Sequence, residues 1–189
     1  VRNHGTVGGN LAHADPASDL PAALLSLGGE LIVNGPEGAR RIPADSFFQG
    51  LFTTEMTSVE MITDLHLPTM ESRTGSAYLK FSHPASGFAV CGAAAVVTLD
   101  SDGRCQKARL CFNGITEVPL EATAVATALT GTNVDDRSTD QAVSDCLVVE
   151  DPLADTFASG EYRTHLARVY ARRALRLARD RAGSDRVAI

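Results

Sequence analysis

Residues 5–10 read Gly-Thr-Val-Gly-Gly-Asn. Glycine lets backbone amides come close to a ligand, and successive amides in a turn form a concavity suited to an anion. The stretch is a candidate phosphate-cradling turn, with Thr6 and Asn10 able to add side-chain hydrogen bonds. Its spacing fits neither G-x-G-x-x-G nor a loop ending in G-K-[ST]. Taken alone, the hexapeptide is equally compatible with a tight turn that binds nothing. The four cysteines, Cys91, Cys105, Cys111 and Cys146, contain no C-x-x-C pair. They read as free thiols, mostly buried in strands, rather than as metal ligands or a redox motif. Reduced thiols fit a cytoplasmic location.

The elements that must position these residues follow from the chain's periodicities. Residues 19–26 predict a short helix with Ser18 or Asp19 as N-cap, Pro21 in the first turn and Gly28 past its end. Residues 30–43 predict two strands around a turn at Asn34-Gly35-Pro36, and residues 46–52 one helical turn. Residues 58–68 alternate as a strand with one buried face, on which Val59, Met61, Leu65 and Leu67 lie. Ile62 falls on the polar face, either as an isolated exposed aliphatic or as a contact for something flat and apolar that is not protein. Residues 76–115 predict three strands, with Lys80 on the first and Phe88 beginning the second. Ala-rich residues 120–129 predict a helix closed by Gly131, and residues 133–148 a weaker one. The clearest helix starts at the Ser159 cap, with Tyr162, Leu166, Val169, Tyr170, Ala174, Leu175 and Ala178 as its apolar stripe. Strands followed by helices indicate an α+β fold.

The 189 residues carry a net charge of −6, unevenly spread. Residues 1–162 hold 9 basic and 21 acidic side chains, whereas residues 163–189 hold 8 arginines against 2 aspartates. The acidic body argues against nucleic-acid affinity. Arg168, Arg172, Arg176 and Arg179 form a stripe without interleaved aromatics, which reads as a solvated face or a subunit contact. The longest uncharged apolar run, residues 88–99, is too short for a transmembrane segment.

The wider stretch "RNHGTVGGNLAHADPASDLP" closely resembles the second flavin-binding segment of the FAD subunits of molybdenum hydroxylases. That family includes the aerobic carbon monoxide dehydrogenase and xanthine dehydrogenase types. The resemblance continues through "YLKFSHPASGFAVCGAAAVVTLD" to "DPLADTFASGEYRTHLARVYARRAL" and so covers nearly the whole chain. It implies the second subdomain of a PCMH-type FAD-binding domain at 1–72. A CO dehydrogenase flavoprotein C-terminal domain at 76–182 would follow, with a three-stranded antiparallel sheet packed on helices and a flexible tail at 183–189. About a hundred residues, with a further pyrophosphate loop, would precede residue 1, so residues 1–189 alone are expected to bind FAD weakly.

The resemblance also implies roles. Thr6, Val7, Gly8, Gly9 and Asn10 would bind the diphosphate of non-covalent FAD, and Asp19 would accept from FAD hydroxyls. Ile62 would contact the flavin, Lys80 would lie near the isoalloxazine and favour its reduced form, and Phe88 would offer an aromatic face without the hydroxyl of a tyrosine. No residue would act as a proton-transfer catalyst, and His13 and His83 read as structural. The molybdenum cofactor and [2Fe-2S] clusters would sit on a large and a small partner subunit, with NAD or a quinone as external acceptor. The site of action would be the cytoplasm, including the inner face of the membrane. Alternatives are a C-terminal remnant that no longer binds FAD and an interaction module built on the basic helix.

Overall fold

The computed structural model describes residues 4–184. Residues 1–3, which carry the Arg-Asn of the opening stretch, and residues 185–189, most of the expected tail, lie outside the described residues. The elements run α1 (Val7–His13), α2 (Asp19–Ser26), β1 (Glu30–Gly35), β2 (Gly38–Pro43), α3 (Ala44–Phe47), β3 (Phe48–Gly50), β4 (Thr53–Thr54) and β5 (Met61–His66). Then follow β6 (Thr74–Ser82), β7 (Ala89–Leu99), β8 (Cys105–Asn113), β9 (Leu120–Glu121), α4 (Thr123–Leu129), α5 (Asp136–Cys146) and α6 (Gly160–Gly183). All strand pairings are antiparallel, so the fold is α+β as expected.

Strands β2-β1-β5 form one sheet, β3-β4 a small hairpin, and β6-β7-β8-β9 the main sheet. The main sheet has four strands rather than three, because Leu120 and Glu121 pair with β8 before the chain turns into α4. The first hairpin turns one residue later than expected, at Pro36-Glu37, with Gly38 at φ +102°. The helical turn at 46–52 is also displaced: it ends at Phe47, and Phe48 opens a strand.

The alternation of residues 58–68 does not survive. Ile32 pairs with Asp64 but Val33 with Ile62, so Thr63 is an extra residue in β5. A bulge of this kind shifts the inward face by one residue. Ile62 and Leu65 therefore pack on the core together, while Val59, Met61 and Leu67 are exposed.

The main sheet is covered on both faces. Cys91, Ala93, Ala95 and Val97 face α6, α4 and α5, whereas Ala94 and Cys111 join Leu11, Leu24, Leu31 and Phe47 on the other side. Helix α6 docks on β6 and β7, with its buried stripe rotated from the expected one. Ala167, Ala171, Ala174, Leu175 and Ala178 are fully buried, Tyr162 is exposed, and the charged Arg163 takes a buried place beside them. Ala94, between Ala93 and Ala95 on β7, looks toward α2 rather than α6. Three of the four stripe arginines are engaged, while Arg168 is exposed. Arg172 and Arg176 pair with Asp140 and Asp136 of α5, and Arg179 donates to the Val134 carbonyl. These contacts clamp α5 onto α6.

Among the described residues all four cysteines are free. Burial pushes the Cys91 thiol up to about 12 and the Cys105 thiol up to about 11, and raises Cys111 still further. Thiolate, the reactive form, is therefore scarce at these three sites. Mild maleimide labelling at pH 8 followed by mass spectrometry should modify Cys146, which is half-buried, and leave the other three until the protein unfolds. Rapid labelling of Cys91 or Cys111 would contradict the packing of the sheet.

Candidate functional site

The glycine-rich stretch folds as the first turn of α1. Thr6 is its N-cap, with extended backbone, and its Oγ1 accepts from the Gly9 N–H at 3.0 Å. The expected turn is thus a helix N-terminus, and neither Gly8 nor Gly9 has a positive φ. The glycines serve close approach instead. A Cβ on Gly8 would lie 3.5 Å from the Ile62 Cβ, so α1 rests directly on β5. A Cβ on Gly9 would meet only the Thr6 hydroxyl, at 2.8 Å, and otherwise project into open space.

First-turn amides have no partner inside a helix. Among the described residues the Val7 and Gly8 N–H groups have no acceptor, while Asn10 N–H returns to the Thr6 carbonyl. The Thr6 hydroxyl, having accepted from Gly9, still carries a proton it can donate outward. An anion's oxygens would meet two amides and one hydroxyl over a surface that a Cβ at residue 9 would fill. The donor set suits a diphosphate.

A second cluster forms where α2 meets β6. Lys80 Nζ donates to Asp19 Oδ2 at 2.7 Å and to the Gly87 carbonyl, and Tyr78 Oη donates to Asp19 Oδ1 at 2.7 Å. Asp19 opens α2, but Ser18 holds the N-cap position and no side chain caps the helix. The aspartate is turned to the sheet instead. Ser18 Oγ donates to Asn10 Oδ1 at 2.5 Å, which ties this cluster to α1. Burial, and then the hydrogen bond to Asp19, hold the Tyr78 hydroxyl far above its ordinary value, so it stays protonated as a donor. Tyr78 also reaches Asn113 Oδ1 at 3.1 Å, in the space left by Gly92, where a Cβ would overlap both side chains.

Asp19 lies against Lys80 at contact distance and offsets its charge. Tyr78 and Asn113 were not legible as site residues, although Tyr78 stands two residues before Lys80 and so shares its strand face. Phe88 is about half exposed and follows Gly87, whose carbonyl accepts from Lys80. It lines a groove of about 300 Å³ with Leu51, Phe52, His83 and Ser86. His83 lies against Phe157 with ring centroids 4.4 Å apart and planes tilted by 57°, and His13 against Phe52 at 5.1 Å and 38°. The structure thus joins Thr6, Val7, Gly8, Gly9 and Ile62 in one group and Asn10, Asp19 and Lys80 in a neighbouring one.

Residues 76–178 match the family described as CO dehydrogenase flavoprotein C-terminal domain. The chain belongs to this family. Residues 1–70 match the FAD binding domain in molybdopterin dehydrogenase. The carbon monoxide dehydrogenase medium chain of Afipia carboxidovorans is 35% identical over 96% of this chain and 63% of its own length. Subunit alpha of the 6-hydroxypseudooxynicotine dehydrogenase complex of Paenarthrobacter nicotinovorans is 30% identical over 96% of this chain and 62% of its own. A crystal structure of Cu,Mo-CO dehydrogenase in a cyanide-inactivated form superposes with a TM-score of 0.89 at 34% identity, covering 95% of this chain and 63% of that one. The chain thus spans less than two thirds of the relatives it matches. The two matches together cover both parts of the fold, and the relatives named here are chains of dehydrogenase complexes.

Proposed function

We propose that this chain is the larger part of an FAD-carrying medium subunit of a molybdenum hydroxylase. Electrons would leave substrate at a molybdenum cofactor on a large subunit and cross [2Fe-2S] clusters on a small subunit. They would pass through FAD to an external acceptor, NAD or a quinone, in the cytoplasm or at the inner face of its membrane. The observation that carries this reading is the first turn of α1, with its free amides, outward Thr6 hydroxyl and bare Gly9, set in a chain whose two parts match the two flavoprotein families. The ion pairs that engage Arg172 and Arg176 with α5 weigh against an interaction module built on a bare basic helix.

In this reading Val7, Gly8 and Thr6 donate to the FAD diphosphate. Asn10, whose Oδ1 is taken by Ser18, offers its amide N–H₂. Asp19 keeps a lone pair on each oxygen for cofactor hydroxyls beyond those given to Lys80 and Tyr78. Ile62 supports α1 from beneath and offers its side chain at the flavin, while Phe88 supplies an aromatic face. Bound FAD supplies a centre that accepts electrons singly or in pairs. Lys80 stabilises the reduced ring less than an unpaired lysine would, because Asp19 lies against it.

The test is the visible flavin spectrum of the full-length polypeptide and of Gly9→Val. Wild type should purify with flavin or take it up stoichiometrically. The valine fills the anion's approach and displaces the Thr6 cap. It should weaken FAD binding at least about tenfold while costing the fold only a cap, about 1 kcal/mol. A wild-type protein that takes up no flavin would refute the reading, and normal flavin content in Gly9→Val would move the diphosphate elsewhere.

A further inference from the structure

The far end of the main sheet is held by one buried guanidinium. Arg163, in the first turn of α6, is 6% exposed. Its Nη1 donates to the carbonyls of Val90 at 2.7 Å and Gly114 at 2.5 Å, and its Nη2 to Asp155 Oδ2 at 2.6 Å. Its Nε is buried with no partner among the described residues. Asp155 is itself fixed, accepting the amides of Phe157 and Ala158 at 2.8 Å.

The carbonyls that Arg163 holds are available because the ladder breaks there. Phe81 pairs with Cys91 but Ser82 with Ala89, so Val90 is a bulge residue. Gly114 has φ +77°, and a Cβ there would lie 2.6 Å from the Ala89 carbonyl. From this splayed end two amides cross to the other layer: Gly114 N–H donates to the Pro16 carbonyl at 2.7 Å and Ala89 N–H to the Ala17 carbonyl at 3.1 Å. Pro16 and Ala17 connect α1 to α2 and lead directly into Ser18, which holds Asn10, and Asp19, which holds Lys80. Phe88 adjoins Ala89.

We propose that Arg163 is a positioning residue for the flavin site. By fixing the ends of β7 and β8 it sets the Asp15–Asp19 connection and the place of Phe88, across the sheet from its own helix. The proposal rests on the flavin reading above. A guanidinium suits the task because its planar fork reaches two carbonyls and a carboxylate at once, whereas an ammonium is a point donor on a flexible stem.

The test compares Arg163→Lys, Asp155→Asn and Arg163→Met with Leu175→Ala, a core variant in the middle of α6 that loosens the helix without touching this network. All are made in the full-length polypeptide. Three quantities are read: FAD affinity by fluorescence titration, visible circular dichroism of the bound flavin, and hydrogen exchange of the Ala89 and Gly114 amides without flavin. Arg163→Lys should weaken FAD binding about tenfold, change the flavin dichroism and speed exchange at both amides, with Asp155→Asn doing the same to a smaller degree. Leu175→Ala should lower the melting temperature yet leave affinity, dichroism and those two amides as in wild type. Wild-type affinity and dichroism in Arg163→Lys, or equal changes in Leu175→Ala, would overturn the proposal. If Arg163→Met fails to fold, the lysine and asparagine variants still decide. If wild type takes up no flavin, the functional reading falls, and with it the flavin role of Arg163. Unchanged exchange in Arg163→Lys would separately overturn the link across the sheet.

Discussion

Leu175→Asp is expected to abolish the cooperative thermal melt. Leu175 is fully buried in the middle of α6, among Ala171, Ala174 and Ala178 on the face that covers β6 and β7. Truncating a buried leucine typically costs 2–5 kcal/mol, and an unpaired carboxylate in the same place adds several more. The sum, roughly 5–8 kcal/mol, consumes most of the ~5–15 kcal/mol by which a folded domain is stable. The neighbouring arginines offer no rescue, since Arg172 is paired with Asp140 and Arg179 with Asp180 and the Val134 carbonyl. Leu166 would be a less decisive position, because Arg163 lies one turn away on the same buried face. The damage should not stop at the C-terminal layer. Ala94 and Cys111, on the reverse of the sheet, pack with Leu24, Leu31 and Phe47, so losing the sheet removes the floor beneath α2 and β1. Thermal circular dichroism should show a broad, non-cooperative transition, and hydrogen exchange should accelerate in β1 as well as in β7. A sharp melt near the wild-type temperature would mean that α6 does not carry the core.

Gly75→Val is expected to have the next largest effect, through backbone rather than side chain. Gly75, in β6, lies under the last turns of α6 so closely that a Cβ would overlap the Ala178 carbonyl and the Ala182 amide, with the Arg181 Cβ 2.8 Å away. Backbone atoms cannot rotate aside, so the helix must lift, and with it goes the bond from Arg181 to the Ser76 carbonyl. Overpacking of this kind costs about 1–3 kcal/mol or more. For a chain of this size that lowers the melting temperature by roughly 2–4 °C per kcal/mol. Gly183 is the control, since nothing lies within 4 Å of its Cβ position. Gly183→Ala should melt within ~0.5 kcal/mol of wild type. Equal effects at the two glycines would show that α6 does not approach β6 as closely as the structure has it.

What the sequence determines by itself is local. The Ser159 cap and apolar spacing define α6, Gly28 and Gly131 close their turns with positive φ, and Cys91, Cys105 and Cys111 have the buried, unpaired setting their strands imply. The opening motif marks the stretch proposed to hold an anion because that chemistry lies in consecutive amides, which six residues suffice to specify. Its conformation was less legible, since a Thr cap followed by two glycines can begin a helix as readily as a loop, and the resting of Gly8 on Ile62 favours the helix here.

Everything that depends on which face a residue presents was left to tertiary structure. One extra residue at Thr63 reverses the part of β5 before it, where Ile62 turns inward as the support of α1, and leaves Leu65 on the expected face. Asp19 and Lys80 are separated by 61 positions and Arg163 and Val90 by 73, distances over which no local pattern operates. The arginines of α6 look like a solvent face in a helical projection, yet three are drawn to α5 and its loop, and a fourth is buried beneath the sheet's end. Charge pairing and burial are settled only when layers meet, because each partner's environment is made by the other.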